Sequence, residues 1–195
     1  MQLSPTEIPE VLLIRPERHV DARGWFTELY NRRRFEEAGI AADFLQDNLA
    51  WSKAAGTLRG LHFQRPPAAQ AKLVRCLRGR ILDVAVDLRP NTPTYRRHVL
   101  VELGEQDGAW LFVPRGFAHG YLTLEPGSAV LYKVDAPYVP ELEGGIAFDD
   151  PDLAIRWPRL VAAPIVSGKD RRLPRLRELD PEPFLEPEFR RCGCS

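Results

Sequence analysis

Short runs of apolar or alternating residues recur along the chain. They are VLLIRP (11–16), WFTELY (25–30), DFLQDNLAWS (43–52), TLRGLHFQ (57–64), AKLVRCLRG (71–79), RILDVAVDL (80–88), HVLVEL (98–103), AWLFVP (109–114), AHGYLTL (118–124) and AVLYKVD (129–135). Turn-forming residues separate them: RPP at 65–67, RPNTP at 89–93, GEQDG at 104–108, PRG at 114–116 and EPG at 125–127. Many short strands punctuated by Gly and Pro predict an all-β fold, a sandwich or a barrel. One short helix is expected over 33–39, stopped at Gly39. A second is expected around 171–179, in a last fifth rich in Pro, Arg and Glu. With no internal repeat and no linker, residues 1–180 read as a single domain and 181–195 as a disordered tail.

The two-residue period of a strand makes specific demands. In TLRGLHFQ it puts Leu61 and Phe63 on one face and His62 and Gln64 on the other. Arg59 then falls on the leucine face, unless Gly60 bends or bulges the chain. In RILDVAVDL, Leu82, Val84, Val86 and Leu88 share one face, and Ile81, Asp83, Ala85 and Asp87 share the other. That second face is expected to be solvated or polar-lined, with Asp83 and Asp87 at the surface or salt-bridged. AKLVRCLRG and RILDVAVDL are expected to pair as a hairpin about Gly79.

Composition narrows the classes. The chain has 195 residues, 44% of them apolar, which is enough for a sizeable core. Its 27 basic and 27 acidic side chains balance, giving no bulk argument for nucleic acid or membrane as partner. No apolar run approaches a membrane span, and the N-terminus carries no signal-peptide pattern, so a cytoplasmic location is expected. Of three cysteines, Cys76 fits a core strand, and Cys192 and Cys194 form a C-x-C in the tail without further ligands nearby.

Of the four histidines, His19 and His98 read as structural or exposed. His62 and His119 lie in strand patterns beside Gly60, Gly116 and Gly120, which permit close approach of backbone or ligand. Each fits either a satisfied core position or a functional one. Gln64 stands where a metal-binding jelly roll would place a second histidine, so no catalytic metal is expected. Lys72, inside an apolar strand, must either snorkel or face a polar cavity. Tyr132 is either a core aromatic or a general acid.

The motifs DARGWFTELYN, FLQDNLAWS, TLRGLHFQRPPAAQAKLVR, GRILDVAVDLRPNTPTY, FVPRGFAHGYLTL, VLYKVDAPYVPELEGGIAFDDPDLAIRWP and VSGKD run in this order from about residue 5 to about residue 175. Together they resemble the dTDP-4-dehydrorhamnose 3,5-epimerase family. The resemblance implies a cupin-like jelly-roll barrel (a double-stranded β-helix) with short flanking helices. It also implies a homodimer and a dTDP-sugar substrate, with no metal or other cofactor. In residue terms it makes His62 the general base, Asp170 its orienting carboxylate, Tyr132 the acid on the opposite face of the sugar and Lys72 the cation beside the C4 oxygen. It places Arg23, Phe26, Glu28, Gln46, Asn48, Arg59, His119, Glu143 and Lys169 around the nucleotide sugar, and Tyr138 against the thymine.

The implied activity is inversion of C3 and C5 of dTDP-4-keto-6-deoxy-D-glucose through an enolate. Related members that invert C3 alone keep the same His, Asp and Tyr, so the motifs leave that alternative open. A non-catalytic sugar-binding jelly roll would have no need of His62, Asp170, Lys72 and Tyr132 together. Departures from the family pattern are Ala71 before the lysine, the Trp25–Phe26 pair and Trp51.

Overall fold

The computed structural model describes residues 1–160 and 163–184. Its strands are β1 (Gln2–Pro5), β2 (Leu12–Arg15), β3 (His19–Asp21), β4 (Gly24–Phe26), β5 (Gln46–Ser52), β6 (Thr57–Gln64), β7 (Lys72–Arg78), β8 (Arg80–Asp87), β9 (His98–Gly104), β10 (Trp110–Val113), β11 (Phe117–Thr123), β12 (Ser128–Val134), β13 (Glu143–Gly145) and β14 (Ile165–Val166). A single α-helix is described, α1 (Arg32–Glu37). Asn31 caps it by accepting from the Arg34 amide, and Gly39 follows at φ +85°. The helix buries Phe35.

Two sheets carry the molecule, one ordered β1-β2-β10-β7-β12-β5 and the other β13-β6-β11-β8-β9, with β14 parallel to β6. Their inner faces share one core: Val74, Cys76, Leu111, Val113 and Val130 from the first sheet, Ile81, Ala85, Val99, Leu103, Phe117 and Tyr121 from the second. Full burial of an aliphatic or aromatic side chain contributes about 1.5–3 kcal/mol, so this shared layer fixes how the sheets face. The outer faces are covered too. Leu153, Leu176 and Phe184 lie over Leu61, Phe63, Val84 and Val86, while Phe35 and Ile40 lie over Ile14, Leu73 and Trp110. Strands buried on both sides lose the apolar–polar alternation, which is why β11 is buried along its whole length.

Several expectations are corrected. β7 and β8 are not a hairpin: β7 pairs with β10 and β12, and β8 with β11 and β9. Gly79, at φ +74°, is a corner that carries the chain from one sheet to the other, and a Cβ there would lie 2.5 Å from Ser128 Oγ. The segment 25–30 contributes strand only to Phe26, in a short hairpin with β3. In place of a helix over 171–179 there are 3₁₀ turns at Asp170–Arg172 and Leu176–Glu178. Pro174 holds Leu173 in the extended region (ψ 141°) and lacks an amide, so the helix cannot run through.

Asp83 and Asp87 are both fully buried, and each has the salt-bridge partner that was one arm of the expectation, His119 for Asp83 and Arg89 for Asp87. Asp87 accepts the Arg89 amide and guanidinium and the hydroxyls of Thr92 and Thr94. Burial pushes its carboxyl up, but these bonds outweigh it and hold the group below the usual carboxylate range. Past residue 180, Phe184 is buried with its ring 5.2 Å from that of Phe63. Residues 185–195, with Cys192 and Cys194, lie outside the described residues.

Candidate active site

The site begins with a bulge in β6. His62 stands opposite His119, whereas Arg59 stands opposite Tyr121, so one strand spends an extra residue over that interval. Gly60 absorbs it at φ +118°; a Cβ at that position would meet Gly120 Cα at 2.6 Å and the His119 carbonyl at 2.8 Å. The two glycines let β6 and β11 close together, and the bulge brings Arg59 to the same inner face as His62. This is the bend that the sequence required.

His62 Nε2 lies 2.8 Å from Asp170 Oδ1. Asp170 Oδ2 accepts the Gly60 amide at 3.2 Å, and the Asp170 amide donates to Ser167 Oγ at 3.0 Å. Burial raises the Asp170 carboxyl, but the bond and charge of His62 and the other bonds prevail and hold it below the ordinary value. An ionised carboxylate on Nε2 fixes the proton on that nitrogen and leaves Nδ1 as the basic one.

Lys72, 9% exposed, opens β7 and donates from Nζ to the His62 carbonyl at 3.3 Å. Burial pulls its ammonium down to about 8, while Asp83 and Glu143 act to keep it charged. Tyr132 comes from the opposite sheet, on β12, and packs against the shared core beside Val74. Burial raises its phenol, offset in part by Arg59, so it stays protonated at neutral pH. His119 Nε2 lies 2.7 Å from Asp83 Oδ1 in the buried floor.

A second group forms the rim. Glu143 Oε2 accepts from Tyr138 Oη at 2.5 Å and from Lys169 Nζ. β13 pairs with β6, with Gly145 opposite His62, which sets this carboxylate close to the dyad. Gln46 donates to Asn48 at 2.9 Å, and its Oε1 takes the Tyr138 amide at 3.4 Å. The Tyr138 ring is half exposed.

Of the residues singled out from sequence, the chain therefore gathers His62, Asp170, Lys72, Tyr132, Arg59, His119, Gln46, Asn48, Tyr138, Glu143 and Lys169. It does not bond Arg23, Phe26 or Glu28 to them. Arg23 pairs with Asp21 at 2.5 Å, Glu28 takes Asn31 and Arg34, and Phe26 is 70% exposed. Sequence reading missed Asp83, Tyr121 and Ser167. Asp83 shares strand parity with the inward Ile81 and Ala85, and that parity was the available signal. Among the described residues, no three His, Cys, Asp or Glu side chains gather as a metal-binding group.

The family model described as dTDP-4-dehydrorhamnose 3,5-epimerase matches residues 5–178. A curated dTDP-4-dehydrorhamnose 3,5-epimerase of Sinorhizobium fredii is 45% identical over 179 residues, covering 92% of this chain and 91% of that protein. The crystal structure of the dTDP-4-dehydrorhamnose 3,5-epimerase from Bacillus anthracis, with TDP and PPi bound, matches at a TM-score of 0.87 and 44% identity, over 90% of this chain and 99% of that one. The dTDP-6-deoxy-D-glucose-3,5-epimerase from Legionella pneumophila, in complex with dTDP-4-keto-L-rhamnose, matches at 0.88 and 39% identity, over 93% and 96%.

Proposed function

Because the chain belongs to the dTDP-4-dehydrorhamnose 3,5-epimerase family, we propose that it inverts C3 and C5 of dTDP-4-keto-6-deoxy-D-glucose to give dTDP-4-keto-L-rhamnose. The observation that carries the reading is the His62–Asp170 dyad on one sheet, faced by the protonated Tyr132 on the other. The C4 ketone makes the protons at C3 and C5 acidic, and His62 Nδ1 removes one. Asp170 stabilises the imidazolium that forms. Negative charge grows on the C4 oxygen, where Lys72 supplies the compensating cation. A preorganised donor of this kind lowers the barrier by about 3–4 kcal/mol. Tyr132 returns a proton from the opposite face, which inverts the centre; His62 then gives its proton to solvent, Tyr132 takes one from solvent, and the cycle repeats at the other carbon.

Arg59 and Lys169 carry the charge needed by the diphosphate, and Tyr138 offers an aromatic face to the thymine. In this reading the two facing sheets form a cupin-like jelly-roll barrel and the protein works as a homodimer. Arg23, Phe26 and Glu28, on or just after the exposed β3–β4 hairpin with Val20 and Trp25, would complete the site across that dimer. The direct test is incubation with the 4-keto substrate, a dTDP-4-keto-L-rhamnose reductase and NADPH. Formation of dTDP-L-rhamnose supports the reading; a product inverted at C3 alone assigns the chain to the mono-epimerases instead.

A further inference from the structure

Asp83 has no part in the scheme above, yet it lies fully buried on the inner face of β8. One of its oxygens holds His119 at 2.7 Å. The other, Oδ2, is buried without a hydrogen-bond partner among the described residues. Directly opposite in the β8–β11 register stands Tyr121, whose hydroxyl is also buried and has no partner among the described residues. A buried carboxylate is costly unless opposite charge stands near it. The nearby cation is Lys72 at the start of β7, itself buried. Lys72 stands on one sheet and Asp83 on the other, and the charge of Asp83 acts on the Lys72 ammonium.

We infer that Asp83 is a positioning residue for the enolate side of the site: its carboxylate fixes the His119 ring and keeps the Lys72 ammonium charged within the buried wall. This rests on the epimerase reading and extends it. The three carboxylates then divide the work. Asp170 serves His62, Glu143 serves Lys169 and Tyr138 at the rim, and Asp83 serves the floor. The charged groups acting on Lys72 are Asp83 from β8 and Glu143 from β13. Arg59 and His62 from β6, Cys76 from β7, His119 and Tyr121 from β11 and Tyr132 from β12 are further titratable and charged groups of the same interior. Glu143 is already engaged by Lys169 and Tyr138, which leaves Asp83 as the buried counter-charge. Asp83→Asn keeps the shape and can still accept from His119, so it removes the charge and little else.

The test combines kinetics with a direct reading of Lys72. The chain has four lysines, Lys53, Lys72, Lys133 and Lys169. Each can be followed by ¹³Cε NMR on lysine-labelled protein, with Lys72→Met assigning the signal. In the wild type Lys72 is expected to be charged at neutral pH and to titrate near 8. In D83N its midpoint should fall by about one unit or more, because the favourable charge is gone and desolvation remains. The alkaline limb of kcat should move to lower pH with it. At pH 7.5 kcat should drop at least about threefold while KM stays within about twofold, and dTDP should bind D83N as it binds the wild type. A D83N enzyme with wild-type kcat and an unmoved Lys72 midpoint overturns the inference. So does joint loss of kcat and dTDP binding with Lys72 unmoved, which is a structural role alone. If D83N does not fold, the wild-type titration decides: Lys72 neutral at pH 7 overturns the inference, and Lys72 charged supports it. Failure of the wild type to epimerise would instead sink the functional reading and leave the Lys72 titration to judge Asp83.

Discussion

His62 and Asp170 are separated by 108 residues, yet His62 Nε2 and Asp170 Oδ1 stand 2.8 Å apart. The carboxylate is 5% exposed and the imidazole 29%, so a buried acid orients a ring that still reaches the site. Asp170→Asn keeps the packing and removes the charge that stabilises the imidazolium. It should lower kcat by at least about 100-fold with KM changed by no more than about threefold. His62→Ala should abolish exchange of both α protons. Steady-state kinetics and exchange rates check both; wild-type exchange in either variant would remove the dyad from the chemistry.

Tyr132→Phe separates proton removal from inversion. Without the phenol, His62 can still take a proton and return it to the same face. Solvent deuterium should therefore enter the substrate while inverted product falls by about 100-fold or more. Product configuration and deuterium content, read together by NMR, decide the matter. Inversion at the wild-type rate would require another acid.

Gly60→Ala tests the bulge. The residue sits at φ +118°, and an added Cβ would press on Gly120 Cα at 2.6 Å. Backbone strain of about 1–2 kcal/mol and overpacking of about 1–3 kcal/mol add to a loss of roughly 2–5 kcal/mol. Thermal unfolding should move down by roughly 5–15 °C. Activity of any folded fraction should fall as well, since Arg59 and His62 share a face only through this bend. A variant with unchanged Tm and kcat would show that the bulge is dispensable.

Much of the architecture was legible in the sequence, and the failures have physical causes. The strand runs from 43 to 135 were readable from apolar clustering and turn residues. Parity put Arg59 off the His62 face unless Gly60 bent the chain, and the resemblance, which assigns both residues to the site, made that bend necessary. Partner choice was not legible: β7 and β8 are adjacent in sequence and buried on both faces, so nothing local distinguishes a hairpin from a corner at Gly79. Asp83 stayed open between the surface and a salt bridge for a related reason. An acid in an apolar strand looks like a surface position until the opposite strand brings His119 to meet it. Asp170 was found through the resemblance, because no local pattern ties residue 170 to residue 62. Arg23 and Phe26 belong to the exposed β3–β4 hairpin and Glu28 follows it, and no local pattern in the sequence shows that this segment stands apart from His62.

Asp87 gives a pH prediction for stability. Its folded-state value is below the unfolded one, so its bonds contribute fully above the ordinary Asp range and are lost as pH falls through the folded value. Asp87→Asn should cost about 3 kcal/mol at pH 7 by leaving Arg89 without its buried partner. The gap between wild type and D87N should shrink steadily as pH falls below about 4. Denaturant unfolding at pH 7, 5 and 3 measures it; a gap independent of pH would contradict the ionised, multiply bonded carboxylate.

The most direct measurement is proton NMR of dTDP-4-keto-6-deoxy-D-glucose incubated with the protein in D₂O. The expected result is deuterium at both C3 and C5, together with an L-configured product. Exchange and inversion at C3 alone would contradict the double epimerisation. Exchange at neither carbon would contradict His62 as a base acting on this nucleotide sugar.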